Sequence, residues 1–201
     1  LPTLSKGGGD ALTSKFDFWA KNWKWAGQES DFKISSPGQY LLKGANKSLG
    51  FSLNANISRV SNQQMRWDIE LDAKENQKDI IGGGISFRFD LENFSQELGE
   101  PEILPDKSGW VWGKGNNRIE LRFKPIPAEI YFEKDKKSKL RVYLYSGSIP
   151  AGKRIYQATL TLNGDMVVVP TVNERFGGED TSKWVQDILD WKTSPVDLSF
   201  L

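Results

Sequence analysis

The chain reads as all-β: a two-sheet antiparallel β-sandwich of the jelly-roll type with one short C-terminal helix. Three observations predict this. Apolar and polar residues alternate with period two in segment after segment, Gly, Pro and Asn turn signals separate the segments, and only one late stretch has helical spacing.

Taken in order, "QYLLKG" from residue 39 and "LGFSLNANI" from residue 49 read as strands. In "MRWDIELDA", Trp67, Ile69, Leu71 and Ala73 share one face, and Arg66, Asp68, Glu70 and Asp72 share the other. "GISFRFDL" sets Ile85, Phe87, Phe89 and Leu91 against Ser86, Arg88 and Asp90. "RIELRFKP" sets Ile119, Leu121 and Phe123 against Arg118, Glu120, Arg122 and Lys124. In "KLRVYLYSG", Leu140, Val142 and Leu144 lie opposite Arg141, Tyr143 and Tyr145. "YQATLTLNGDMVVVP" reads as a hairpin, with Asn163-Gly164 supplying the positive-φ turn. One apolar and one polar face per strand is the pattern of antiparallel sheets packed face to face. "SPG" at 36–38, "GGG" at 82–84 and "SG" at 146–147 are expected as turns, and "EKDKKSK" at 133–139 as a charged hairpin turn. In "DTSKWVQDILDW", Trp184, Ile188 and Trp191 fall at helical spacing behind an Asp180/Thr181 cap.

At 201 residues, the chain suits one domain over 1–192, with "TSPVDLSFL" at 193–201 as an extended tail or linker. A 38% hydrophobic content is enough for a core. The 27 basic and 26 acidic residues are mixed, so nothing draws the whole chain to nucleic acid or an anionic membrane. No apolar run has the roughly 18 residues of a membrane span. The opening "LPTLSKGGGDALTSK" lacks the apolar segment of a signal peptide and reads as a processed start. There is no cysteine and no histidine, which removes disulfides, thiolate and Ser-His-Asp catalysis, and Cys or His metal sites. "GGG" is no phosphate loop, since no lysine with serine or threonine follows it.

Eight tryptophans are well above typical usage. Trp19, Trp23 and Trp25 cluster in "FDFWAKNWKW", and Trp110 and Trp112 share a face among Ser108, Gly109, Gly113 and Gly115. An indole is a rigid apolar plane on which the C–H face of a sugar stacks at small entropic cost, and it is an equally good core residue. Register assigns Trp67 to the core, and helical spacing does the same for Trp184 and Trp191. Trp110, Trp112, Trp23 and Trp25 remain open between stacking platform and packing. If the strands at 66–73, 85–91, 118–124 and 140–145 form one concave sheet, its polar lining contains Glu70, Arg88, Arg122, Tyr143 and Tyr145. These residue types suit the hydroxyls of a glycan, and suit a solvated face of cross-strand ion pairs as well.

"ELDAKE", with Glu70, Asp72 and Glu75, resembles the Glu-x-Asp-x-x-Glu strand of the retaining glucanases of glycoside hydrolase family 16. That resemblance implies a nucleophile and an acid/base from paired carboxylates. Simple alternation puts Glu70 and Asp72 on one face and Glu75 on the other, unless a bulge intervenes. "NRIELRFKP" resembles the arginine-rich strand of alginate lyases, whose companion histidine this chain lacks. In architecture and aromatic content, most of the chain resembles the large jelly-roll carbohydrate-binding modules grouped with families 4, 16 and 22. The resemblance implies a secreted or cell-surface bacterial location and a monomeric, non-catalytic domain. It would bind a plant or algal polysaccharide and target a covalently attached hydrolase to it, with no nucleic-acid or membrane partner. The alternatives are a structural accessory domain packed on a catalytic one, or the family-16-like glucanase. No cofactor is required, although many such modules hold a structural calcium; no acidic loop motif here demands one.

Overall fold

Alternation this regular leaves each strand with one face to bury, and two sheets facing each other bury both. The computed structural model describes residues 4–6, 9–21, 29–36, 38–46, 50–134 and 136–164, and shows a two-sheet antiparallel sandwich. The strands are β1 (Leu4–Lys6), β2 (Gly9–Trp19), β3 (Glu29–Ser36), β4 (Gln39–Asn46), β5 (Phe51–Ser61), β6 (Gln64–Ala73) and β7 (Gln77–Phe89). After helix α1 (Leu91–Leu98) come β8 (Glu102–Ile103), β9 (Gly109–Lys114), β10 (Asn117–Lys124), β11 (Glu129–Glu133), β12 (Lys136–Ile149) and β13 (Gly152–Leu162). One sheet has five strands in the order β1-β2-β7-β12-β11; the other has eight, β3-β4-β5-β6-β13-β10-β9-β8. The chain passes between the sheets repeatedly, so neighbours in space are often distant in sequence.

The core lies between the sheets, and rings hold it together. Phe18 of β2 meets Phe51 of β5 at 5.0 Å, and Phe89 of β7 meets Trp110 and Trp112 of β9 edge-on at 5.0 and 5.2 Å. Both indoles are 0% exposed. The reading of Trp110 and Trp112 as a wet stacking platform is therefore corrected. Gly109 and Gly113 belong to strand β9, whose inward face points at Phe87, Phe89 and Phe94. Trp67 is in the core as its register requires.

Two further corrections concern glycines. "GGG" at 82–84 is inside β7, not a turn. A Cβ on Gly82 would sit 2.7 Å from a ring carbon of Tyr143, and one on Gly83 would collide with the ring of Phe18. The glycines thus let large rings lie against both faces of the strand. "SG" at 146–147 is inside β12, where the pairing with β7 shifts register. A bulge between Tyr143 and Tyr145 changes which way the side chains point. Tyr143 lies on the side of the sheet away from the core, 2% exposed beneath Trp19 and Tyr131, while Tyr145 joins Phe18 and Phe51 in the core. Tyr145 is accordingly removed from the expected outer lining.

Helix α1 departs from the strand pattern: Leu91, which continues the alternation of 85–89 in sequence, begins the helix instead. Phe94 and Leu98, four residues apart, dock on the core. Gly99, at φ 72°, ends it, with its N–H donating to Ser95 O at 2.7 Å. The charged run at 133–139 is mostly strand rather than turn: Glu133 ends β11 and 136–139 open β12, paired antiparallel with it. Gly164 has the positive φ of 76° assigned to the Asn163-Gly164 turn. The returning strand of that hairpin, the expected C-terminal helix with Trp184 and Trp191, and the 193–201 tail lie outside the described residues.

The indole N–H groups differ in a way that can be measured. Trp112 Nε1–H donates to Gly99 O at 2.8 Å, whereas Trp110 Nε1–H is buried with no acceptor among the described residues. Alanine at either position is expected to cost about 3–5 kcal/mol in urea unfolding. Phenylalanine should cost less at Trp110 than at Trp112, because only the second loses a hydrogen bond. Equal costs for the two phenylalanine variants would contradict this assignment.

Candidate functional site

The outward positions of the five-stranded sheet are set by register. Lys15, Ser86 and Arg141 form one row across β2, β7 and β12, flanked by rows of Thr13, Arg88 and Lys139 and of Asp17, Gly84 and Tyr143. Gly84 has no side chain in the middle of its row, and a Cβ there would strike the backbone of β12. An open groove of about 420 Å³ lies over this face, lined by Thr13, Lys15, Asp17, Ser86, Arg88 and Arg141 among others. Its volume is within the range of small-ligand sites.

Arg141 organises the groove. Its Nη1 donates to Ser86 Oγ at 3.1 Å and lies 3.5 Å from Asp17 Oδ2, and its Nη2 donates to Glu133 Oε1. The guanidinium carbon sits 4.4 Å from the Trp19 ring centroid, a cation–π arrangement. Tyr143 lies 5.8 Å from Trp19 between ring centroids, and its hydroxyl shares a 2.9 Å hydrogen bond with Tyr131. A fork tied at four points loses little freedom when a ligand arrives.

Asp17 is 3% exposed. Its Oδ1 pairs with Lys15 Nζ at 3.0 Å, but Oδ2 has no hydrogen bond among the described residues. Attraction to Arg141 at 3.5 Å is ionic, beyond good hydrogen-bond geometry. The carboxylate is a buried counter-charge that holds Lys15 and Arg141 in place. Glu133 behaves similarly: burial disfavours its charge, but the hydrogen bond and charge of Arg141, helped by Lys139, hold its carboxyl below the usual range. Burial, then the hydrogen bond with Tyr131, pushes the Tyr143 hydroxyl well above its ordinary value.

The residues expected to line one sheet are divided between two. Arg88 and Tyr143 belong to the outer face of the five-stranded sheet. Glu70 and Arg122 are on the eight-stranded sheet, where Glu70 pairs with Lys153 at 3.0 Å and Arg122 pairs with Glu120 and with Asp106. A single lining that contains all four is therefore corrected: β6 and β10 never join β7 and β12 in one sheet. Trp23 and Trp25 lie outside the described residues. No bulge interrupts the pairing of β6 with β13, and Glu75 lies in the turn after β6, off the strand that carries Glu70 and Asp72. Among the described residues, no group of three or more carboxylates is placed to hold calcium.

Sequence reading passed over Asp17, Trp19, Tyr131, Glu133 and Arg141 as site residues. The signal was available in "FDFW", where Asp17 and Trp19 alternate with the buried Phe16 and Phe18.

Two pH limbs follow. Glu133, Asp68 and Asp106 have depressed folded pKa values, so their stabilisation is present above about pH 4 and lost as pH falls through the folded values. Glu133→Gln should make the acid limb of a stability–pH profile shallower. Tyr143, Tyr145 and Tyr156 have raised values, so their contribution is complete below about pH 10 and lost as pH rises further. Tyr143→Phe should weaken that alkaline loss. Profiles identical to wild type on both limbs would contradict the assignments.

No model of a known protein family matches this chain, and no curated protein matches it.

Proposed function

We propose that this chain is a non-catalytic carbohydrate-binding domain that holds a polysaccharide along the groove on the outer face of its five-stranded sheet. The observation that carries this reading is the groove itself, lined by the hydroxyls of Thr13, Ser14 and Ser86 among charged side chains and organised by the tethered Arg141 fork beside Trp19. Hydroxyl-rich ligands are recognised by donors and acceptors fixed in advance by second partners. An open trough on a sheet suits a segment of an extended chain better than an enclosed small molecule does. Trp19, half-buried beside Arg141, has one side of its ring taken by the guanidinium and offers its remaining exposed surface to a C–H face; Tyr143, at 2% exposure, supports it from below.

Binding of this kind is weak, on the order of 1 mM to 1 μM. It becomes useful through attachment, which raises the effective concentration of a linked glycoside hydrolase at its substrate. The linked hydrolase and a secreted or cell-surface location belong to this reading through the resemblance to carbohydrate-binding modules.

Affinity gel electrophoresis on a panel of plant and algal polysaccharides tests it. Ser86→Leu fills the groove and removes the acceptor of Arg141, and should reduce retention at least about tenfold, the loss of one charge-assisted hydrogen bond. Arg66→Ala, on the outer face of the other sheet, should leave retention unchanged. Thermal unfolding of both variants should stay within a few degrees of wild type, as surface substitutions do. Retention lost in Arg66→Ala and kept in Ser86→Leu would move the site to the eight-stranded sheet.

A further inference from the structure

We infer that the polysaccharide this groove takes is acidic, carrying carboxylate or sulfate groups that seat between Arg88 and Lys139. The inference rests on the groove being a carbohydrate site and adds the ligand's chemical class. Its starting point is an imbalance of charge. The chain as a whole is nearly neutral at +1, yet the groove is lined by four cations, Lys15, Arg88, Lys139 and Arg141, against two carboxylates, Asp17 and Glu133.

The excess is localised. Arg141 is matched by Glu133 and Asp17, and Lys15 by Asp17. Arg88 has no ion-pair or hydrogen-bond partner among the described residues, and Lys139 has only Glu133, at 3.6 Å and already shared with Arg141. Arg88 and Lys139 are direct cross-strand partners, Lys139 on β12 opposite Arg88 on β7. Like charges placed opposite each other on one sheet face are unfavourable. An oxyanion between them reverses the sign of that interaction and gives the free Arg88 fork a bidentate acceptor. Thr13, the partner of Arg88 on the other side, adds a hydroxyl to the same row.

The opposite side of the molecule provides the comparison. On the outer face of the eight-stranded sheet, four cations are neutralised within the protein: Arg66 by Asp68, Lys153 by Glu70, Arg122 by Glu120 and Asp106, and Arg118 by Glu120. Lys124 is also unpaired there among the described residues, but its cross-strand neighbour is the neutral Gln157; in the groove the unmatched Arg88 stands opposite a second cation.

The full 201-residue chain would be tested by affinity electrophoresis against paired probes: polygalacturonate and its fully methyl-esterified form, and κ-carrageenan and its desulfated form. Retention is expected on at least one acidic probe and not on its neutral pair, weakening as sodium chloride rises from about 50 to about 500 mM. Arg88→Ala should weaken it about tenfold or more, and Arg88→Lys should restore part of the loss. Arg88 is exposed, so both variants should unfold at the wild-type temperature. Arg66→Ala should bind as wild type. Retention on neutral probes, unaffected by salt and by Arg88→Ala, overturns the acidic ligand while the carbohydrate reading stands. Retention on none of the four probes or of the wider panel overturns both. Acidic retention indifferent to Arg88→Ala, or matched by single-stranded DNA, reduces the effect to general polyanion attraction and overturns the inference.

Discussion

A seam of aromatic rings between the sheets is the constraint on which the rest depends. Phe18, Phe51 and Tyr145 meet at one end of it, and Phe87, Phe89, Trp110 and Trp112 at the other. Edge-to-face pairs add about 0.5–1.5 kcal/mol each beyond the burial of their surface. Rings this large also dictate the strands that carry them. Gly83 has to be bare for Phe18 to pack, and β12 has to bulge for Tyr145 to enter the seam while Tyr143 stays out.

That bulge links the core to the outer face. Without it, strict alternation would send Tyr143 and Tyr145 to the same side of β12. With it, Tyr143 packs beside Trp19 and Tyr131, and Gly82 is bare so that the Tyr143 ring can lie over it. The site is therefore a by-product of how the interior is filled, and its geometry is as rigid as the packing behind it. Arg141 gives that packing its chemistry, because its contacts with Ser86, Glu133, Asp17 and Trp19 fix its charge on the sheet.

The two outer faces show how little composition says about function. Both consist of alternating polar residues, and both carry arginine and lysine beside carboxylates. On the eight-stranded sheet most of the charges of β6, β10 and β13 close into pairs that contribute little individually, since exposed ion pairs are screened by water. On the five-stranded sheet two carboxylates are half-buried or fully buried and spoken for, so a cation is left over. The difference is one of partners, and partners are assigned by strand order.

Period-two alternation made the all-β class and most strands legible, since a strand with one apolar face has only one way to be buried. Trp67, Ile69 and Leu71 could be assigned to the core from register alone. Local spacing could not say whether Trp110 and Trp112 were inside, because flanking glycines suit a tight strand as well as a loop; the facing phenylalanines of β7 and α1 decided it. Nor could it say which strands share a sheet. Glu70 and Arg122 look like companions of Arg88 and Tyr143 on paper, but the chain crosses between layers, and the order β2-β7-β12-β11 is set by long-range pairing. Asp17, separated from Arg141 by most of the described chain, meets it only across that sheet. By itself the sequence determined the sandwich and the polarity of each strand's faces, because those are local consequences of side-chain direction. The tertiary structure alone decided which polar faces became neighbours, because hydrogen bonding between distant strands, and the volume of the rings between them, leaves no trace in local spacing.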